Sequence, residues 1–351
     1  MEGMNTFCNV GPDALTQRLH SMTNGTPVPQ YCIPNPVSTH RAPRCYYLLV
    51  PPCASGRVPL VMNSHGSDTC PLWAISYDRW AETALRHCFV LAYPLGVTEL
   101  AVAENTCMTF PGGRDVNGIF ATQNCCCYKN GRALKPTETM DMVVLQKIVQ
   151  DIIWEKRVDK LSNNTAQVDE KRIYMAGHSN GCIAALTMAA YHSDFVAAVA
   201  CHAAGSLVNL PTYYEPVPTW LAQGKKDEFI WYQFAKETAM TLAWVHNCQN
   251  ETTFNLENDT GVIYSYFNCT KNAPVRILLL NESGHMPFLN SFEVSEGASR
   301  TLVDTTEMAW QFCSKFSKEE FPKSLISAAI RPLPKSLYHG FLLLVMWMTF
   351  I

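Results

Sequence analysis

Arg172-Ile-Tyr-Met-Ala-Gly-His-Ser-Asn-Gly-Cys182 decides how this chain is read. Ile173–Ala176 has the apolar character of a short buried strand. Gly177-His178-Ser179-Asn180-Gly181 follows at once, and Ile183–Tyr191 has the composition of a helix. G-x-S-x-G between a strand and a helix is the context of a nucleophile elbow. The turn is sharp enough to strain the serine backbone, so its flanks must carry almost no side chain. Gly177 and Gly181 meet that need. Ser179 is expected above the end of a sheet, with a helix N-terminus behind it to favour developing negative charge.

Strands and helices alternate on either side of this stretch. Arg57–Asn63, Cys88–Tyr93, Phe195–Ala200, Thr219–Gln223 and Val275–Leu280 are short apolar runs. Continuous runs of this kind suit a parallel sheet covered on both faces. Between them, Tyr77–His87, Thr137–Val158, Phe234–His246 and Thr301–Ser317 repeat apolar residues at helical spacing. The expected class is α/β, with a mostly parallel central sheet and helices on both faces. The expected limits are an N-terminal arm carrying cysteines and prolines over 1–45, a catalytic domain over 46–318, and a C-terminal tail over 319–351. Residues 95–136 are expected to be a long irregular segment, and residues 247–272 a surface excursion.

Three strand ends carry the chemistry. Ser179 follows the elbow strand, Asp227 follows Thr219–Gln223, and His285 follows Val275–Leu280. In open α/β sheets, sites form at the carboxyl ends of the strands. The chain order Ser…Asp…His is the one used by α/β-hydrolases. Ser179 alone is a weak nucleophile. His285 would take its proton and later pass it to the leaving group, while Asp227 would fix the imidazole tautomer. The N–H groups of Asn180 and Ser67 are the expected oxyanion donors, since His65-Gly66-Ser67 follows an early strand where such a donor belongs. Glu228 competes with Asp227 for the acid, and His178, His192, His202 and His246 compete with His285. None of these histidines follows a strand that comes after the acid.

Cysteine is abundant, at 15 of 351 residues. Scattered cysteines in a chain this long point to disulfides and an oxidising compartment. N-x-[S/T] acceptors at Asn24, Asn163, Asn250, Asn258, Asn268 and Asn281 agree. Asn281 lies four residues before His285 and is expected to be unoccupied or to face away from the site. Secretion or cell-surface display is therefore expected, although Met1–Cys8 has neither the basic nor the apolar part of a leader. Small residues at Ser324, Ser327, Ala328 and Ala329, a spacer, and the apolar run Phe341–Ile351 suggest a GPI-attachment signal and membrane attachment through the tail. Zinc held by Cys125-Cys126-Cys127 is the sharper alternative to disulfides there, but adjacent thiols fit tetrahedral coordination poorly. No metal or other cofactor is expected. A formal charge of -3 gives no electrostatic case for nucleic acid.

Several stretches resemble the esterase family that includes extracellular polyhydroxybutyrate depolymerases and related feruloyl and acetylxylan esterases. They are YYLLVPPCASGRVPLVMNSHG (46–66), YDRWAETALRHCFVLAYPLGV (77–97), CCCYKNG (125–131) with TMDMVVL (139–145), VDEKRIYMAGHSNGCIAALTMA (168–189), PVPTWLAQGKKDEFI (216–230), and WVHNC (244–248) with FNCTKNAPVRILLLNESGH (267–285). The resemblance implies the triad Ser179, Asp227 and His285, a Cys248–Cys269 disulfide, and a secreted, metal-free hydrolase of carboxylic esters, polymeric ones included. The chain departs from the pattern in three places. Cys182 stands where a second glycine is usual, only Asp141 remains of a usual acid pair, and Met286-Pro287 replaces an aromatic-proline pair. The competing readings are a catalytically silent secreted or cell-surface binding protein on the same fold, and a serine peptidase.

Overall fold

The computed structural model describes residues 23–34, 44–67, 69, 71–96, 140–205, 210–289 and 297–319, with two short strands at 128–129 and 132–133. Cys125–Cys127, the C-terminal tail and its proposed attachment signal lie outside the described residues.

Among the described residues, ten strands form one sheet. In chain order they are β1 (Gln30–Ile33), β2 (Arg44–Leu49), β3 (Gly56–Ser64), β4 (Val90–Pro94), then β7 (Ala166–His178), β8 (Val196–His202), β9 (Thr219–Gly224), β10 (Asn250–Asn255), β11 (Gly261–Phe267) and β12 (Val275–Leu280). A separate hairpin pairs β5 (Tyr128–Lys129) with β6 (Arg132–Ala133). The order across the sheet is β1-β2-β4-β3-β7-β8-β9-β12-β11-β10. The six central strands, β4 to β12 in that order, are parallel. Two antiparallel strands extend each side. Every residue of β4, β8 and β9 is buried, as their unbroken apolar runs require.

Seven α-helices are described: α1 (Pro71–Tyr77), α2 (Trp80–His87), α3 (Met140–Trp154), α4 (Arg157–Leu161), α5 (Asn180–Tyr191), α6 (Tyr232–Val245) and α7 (Thr305–Cys313). The connection from β3 through α1 and α2 to β4 runs one way across the sheet. Those from β4 through α3 to β7, from β7 through α5 to β8, and from β9 through α6 to β12 run the other way. Right-handed crossovers travelling in opposite directions put their helices on opposite faces. The sheet is thereby covered on both sides, as expected from the sequence.

Some elements differ from the sequence expectation. The helix expected at Tyr77–His87 is two helices, because Arg79 adopts φ 60 and the Asp78 carboxylate takes the N–H of Trp80 at 3.0 Å. The long helix breaks where Lys156 adopts φ 50. The surface excursion at 247–272 is the hairpin β10–β11, closed at its base by a Cys248–Cys269 disulfide. Its outer strand, Asn-Glu-Thr-Thr-Phe-Asn, is exposed along its length and so lacks the apolar alternation that marks a strand. β1 extends the other edge of the sheet and is tied to β2 by Cys32–Cys45.

Candidate active site

The carboxyl ends of the central strands finish level. Ser64 pairs with Gly177, His178 with His202, and Gly224 with Leu280. The loops that follow β3, β7, β9 and β12 therefore leave the same edge of the sheet. They carry Ser67, Ser179, Asp227 and His285.

Ser179 links β7 to α5 with φ 53 and ψ -119. A non-glycine residue at positive φ stores strain that its surroundings must hold. Two features hold it here. The Ser179 N–H donates to the His202 carbonyl at 2.8 Å. Both flanks also pack backbone on backbone, since a Cβ on Gly177 would lie 2.2 Å from the Gly181 carbonyl and one on Gly181 would lie 2.0 Å from the Ser64 oxygen. Ser179 occupies the N-cap of α5, yet its hydroxyl makes no cap hydrogen bond. Asn180 begins the helix, so its N–H belongs to the end where backbone donors lack helical partners.

Cys182 lies one turn into α5 and is bonded to Cys201 on β8. The departure from the glycine pattern is thus a covalent tie directly beneath the elbow.

The loop after β3 lies against the serine. A Cβ on Gly66 would sit 3.3 Å from the Ser179 Cβ and 3.3 Å from His178 Nδ1. His65 fixes this loop from inside. Its Nε2 accepts the Gly96 N–H at 3.0 Å, so Nδ1 carries the proton and donates to the Gly66 carbonyl at 2.7 Å. Thr69 Oγ1 donates to the same carbonyl at 3.0 Å. His65 is a strut of the loop, and Ser67 follows on it, half-buried.

Asp227 has a fully buried side chain. Its Oδ1 accepts the N–H groups of Phe229 and Ile230, both at 2.8 Å. Its Oδ2 accepts Gln223 Nε2 at 2.7 Å and His285 Nδ1 at 2.8 Å. Four donors hold this carboxylate in one orientation. Glu228, its sequence competitor, points to solvent. Because Nδ1 of His285 donates to Asp227, the lone pair of the neutral ring resides on Nε2.

The histidine loop is fastened to the elbow by His178. Its Nε2 donates to the His285 carbonyl at 2.8 Å, and its Nδ1 accepts from Tyr77 O–H at 3.2 Å. Burial, with His285 beside it, holds the His178 pKa well below its usual value, so the ring is neutral. His202 is buried against Phe288, with ring centroids 4.8 Å apart, and His246 is buried between Tyr214 and the Ala273 carbonyl. Burial pushes both down to about 4. Both are core residues. Sequence reasoning did not single out Gln223 or Tyr77. A glutamine ending a buried strand four residues before the acid was the available signal for the first.

Among the described residues, no group of three His, Cys, Asp or Glu side chains could hold a metal ion. Among the same residues, no helix is long and apolar enough to cross a membrane.

No protein-family model matches the chain. A bifunctional acetylxylan esterase/xylanase from Neocallimastix patriciarum is 22% identical over 251 residues, which is 70% of this chain and 31% of that protein. The chain thus spans about a third of the length of that relative. The solved acetyl xylan esterase from Aspergillus awamori superposes with a TM-score of 0.51 at 13% identity, covering 74% of this chain and 95% of that one. That likeness speaks for the fold alone. Taken with the strand order and the level strand ends described above, it identifies the architecture: this chain has the α/β-hydrolase fold.

Proposed function

We propose that this protein is a serine esterase that cleaves carboxylic esters through an acyl-enzyme. The observation that carries the reading is the 2.8 Å bond from His285 to a buried, fourfold-held Asp227, at the strand-end edge where Ser179 sits strained at a helix N-terminus. In this reading His285 Nε2 takes the Ser179 proton as Oγ attacks the ester carbonyl. The N–H groups of Asn180 and Ser67 bind the tetrahedral oxyanion. The intermediate collapses, the C–O bond to the alcohol breaks, and His285 returns its proton to the departing alcohol. Water activated by the same ring then attacks the acyl-enzyme, releasing the acid and restoring Ser179.

Acetyl esters of a polysaccharide are the first substrate class to try, because the relative matched over 251 residues is named for acetylxylan. Polyester and feruloyl esters come next. The four described disulfides support an oxidising, extracellular setting. The carboxylate held by four donors behind a histidine also supports an esterase over a binding protein, since a binding module has no use for that arrangement.

The test is steady-state turnover of p-nitrophenyl acetate, butyrate and octanoate and of an acetyl p-nitroanilide, by the wild type and Asp227→Asn. Ester turnover that falls about 10⁴-fold in the variant, with little amide turnover, is expected. A folded wild type inert to every ester would favour the binding-protein reading. Faster amide than ester turnover would favour a peptidase.

A further inference from the structure

Among the described residues the sheet ends on two edge strands, and they are built differently. β1 has four residues and is disulfide-bonded to its neighbour. β10 has six residues, all exposed, in unbroken register with β11. An exposed edge strand offers unpaired backbone groups to any second strand. Chains usually blunt such edges with charge, proline, a bulge or a covering element. Asn250-Glu-Thr-Thr-Phe-Asn255 has one charge, no proline and no bulge, and it presents Phe254 at 64% exposure. Exposed strands of low net charge without proline are the kind that pair between molecules.

Three N-x-T acceptors surround this strand. Asn250 is its first residue. Asn258 lies in the turn to β11 at φ 54, and Asn268 follows β11 at φ 55. Asn250 pairs with Phe267, so Asn250 and Asn268 lie at one end of the hairpin and Asn258 at the other. All three side chains are exposed. Asn250 and Phe254 share a face of the strand about 13 Å apart, within the span of an oligosaccharide core. Asn281 offers a contrast. Its Nδ2 donates to the Asp259 carbonyl at 2.7 Å and to Asp259 Oδ1 at 3.0 Å, and its own N–H donates to the Thr260 carbonyl at 3.0 Å. A glycosylated amide keeps only one hydrogen, so a glycan at Asn281 would remove one of the three hydrogen bonds that tie the end of β12 to the hairpin turn.

We propose that Asn250, Asn258 and Asn268 carry N-linked glycans that shield the free β10 edge from pairing with another molecule, while Asn281 remains unmodified. The sugars supply the protection that the strand's own sequence lacks. This is independent of the esterase reading, since the hairpin contributes no residue to the triad.

The full chain, directed into the secretory pathway of a eukaryotic cell, is mapped by glycopeptide mass spectrometry. Glycans at Asn250, Asn258 and Asn268 and an unmodified Asn281 are expected. Removing the glycans from the folded protein with an endoglycosidase should raise its rate of self-association at least ten-fold by light scattering. Thr253→Lys, which places a charge on the edge, should suppress that rise. Empty acceptors at the hairpin, a glycan at Asn281, a deglycosylated protein that stays monomeric, or an equal rise in Thr253→Lys would each overturn the proposal.

Discussion

His178 Nε2 donates to the backbone carbonyl of His285 at 2.8 Å, joining the residue before the nucleophile to the loop of the proposed base. The bond is made by a neutral, buried ring whose other nitrogen accepts from Tyr77. The elbow and the histidine loop are thus positioned relative to each other by a side chain that takes no part in proton transfer. His178→Ala should lower kcat roughly ten- to hundred-fold, as expected for one lost buried hydrogen bond. KM should change much less. His178→Gln, whose amide can still donate to the carbonyl, should recover part of the loss. Equal changes in kcat and KM, with no rescue by glutamine, would contradict this positioning role.

Gly66 gives a test of the proposed oxyanion loop. A methyl group there would press on the Ser179 Cβ and on His178 Nδ1, each 3.3 Å away. Either these side chains or the loop must give way, and a shift of the loop carries the Ser67 N–H with it. Gly66→Ala should fold and should bind substrate with a similar KM. Its kcat should fall about 10²- to 10³-fold, the usual effect of losing one oxyanion donor. A kcat within two-fold of wild type would remove Ser67 from the oxyanion hole.

The Cys182–Cys201 bond joins the start of α5 to β8 across 19 residues of sequence. Closing a loop of that size contributes about 3 kcal/mol. The double replacement Cys182→Ala/Cys201→Ala should lose roughly that much stability in urea unfolding. At 25 °C it should keep most of its activity, because the glycine contacts and the Ser179 N–H bond to His202 still fix the elbow. Unchanged stability would show that the bond does not form in the native protein.

Stability should also depend on pH in a defined way. Burial holds His192, His202 and His246 down to about 4 and His178 well below its usual value. In the unfolded chain each takes up a proton near 6.5. As pH falls from about 6.5 to about 4 the unfolded state binds more protons, so stability falls. Asp78 acts in the opposite sense. Burial raises its carboxyl to about 7, against the opposing pull of hydrogen bonds from the Trp80 N–H, Tyr93 and Asn63. Between its unfolded value near 3.9 and 7 the native state keeps a proton that the unfolded state has lost, so its contribution falls as pH rises. Four histidines outweigh one aspartate, and urea midpoints should climb from pH 4.5 to 6.5. Asp78→Asn removes the opposing contribution. Its stability relative to wild type should therefore increase from pH 4.5 and level off near pH 7, and a constant difference would contradict the assignment.

The strand-end placement of Ser179, Asp227 and His285 was legible in the sequence because each lies in a short polar motif ending an apolar strand. The central strands were legible because they are buried on both faces and read as unbroken runs. Asn250–Asn255 was not, because an edge strand exposed on all sides carries no pattern that separates it from a loop. The break at Asp78-Arg79 was hidden for a different reason. It depends on a buried carboxylate capping Trp80 and bonded to Asn63 and Tyr93, residues far apart in the chain. Cys182 read as a departure from the glycine pattern, and only its proximity to Cys201 on the neighbouring strand gives it a role. His178 and Tyr77 likewise gain their roles from a contact across 101 residues that no local motif records.

The central claim is that Ser179 is a nucleophile activated by His285 and Asp227. Intact-mass and peptide mass spectrometry after treatment with a fluorophosphonate tests it directly. The account predicts a single covalent adduct on Ser179, absent in Ser179→Ala and formed at least a hundred-fold more slowly in His285→Gln. A folded wild type that forms no adduct, or an adduct on another residue that persists in Ser179→Ala, would contradict it.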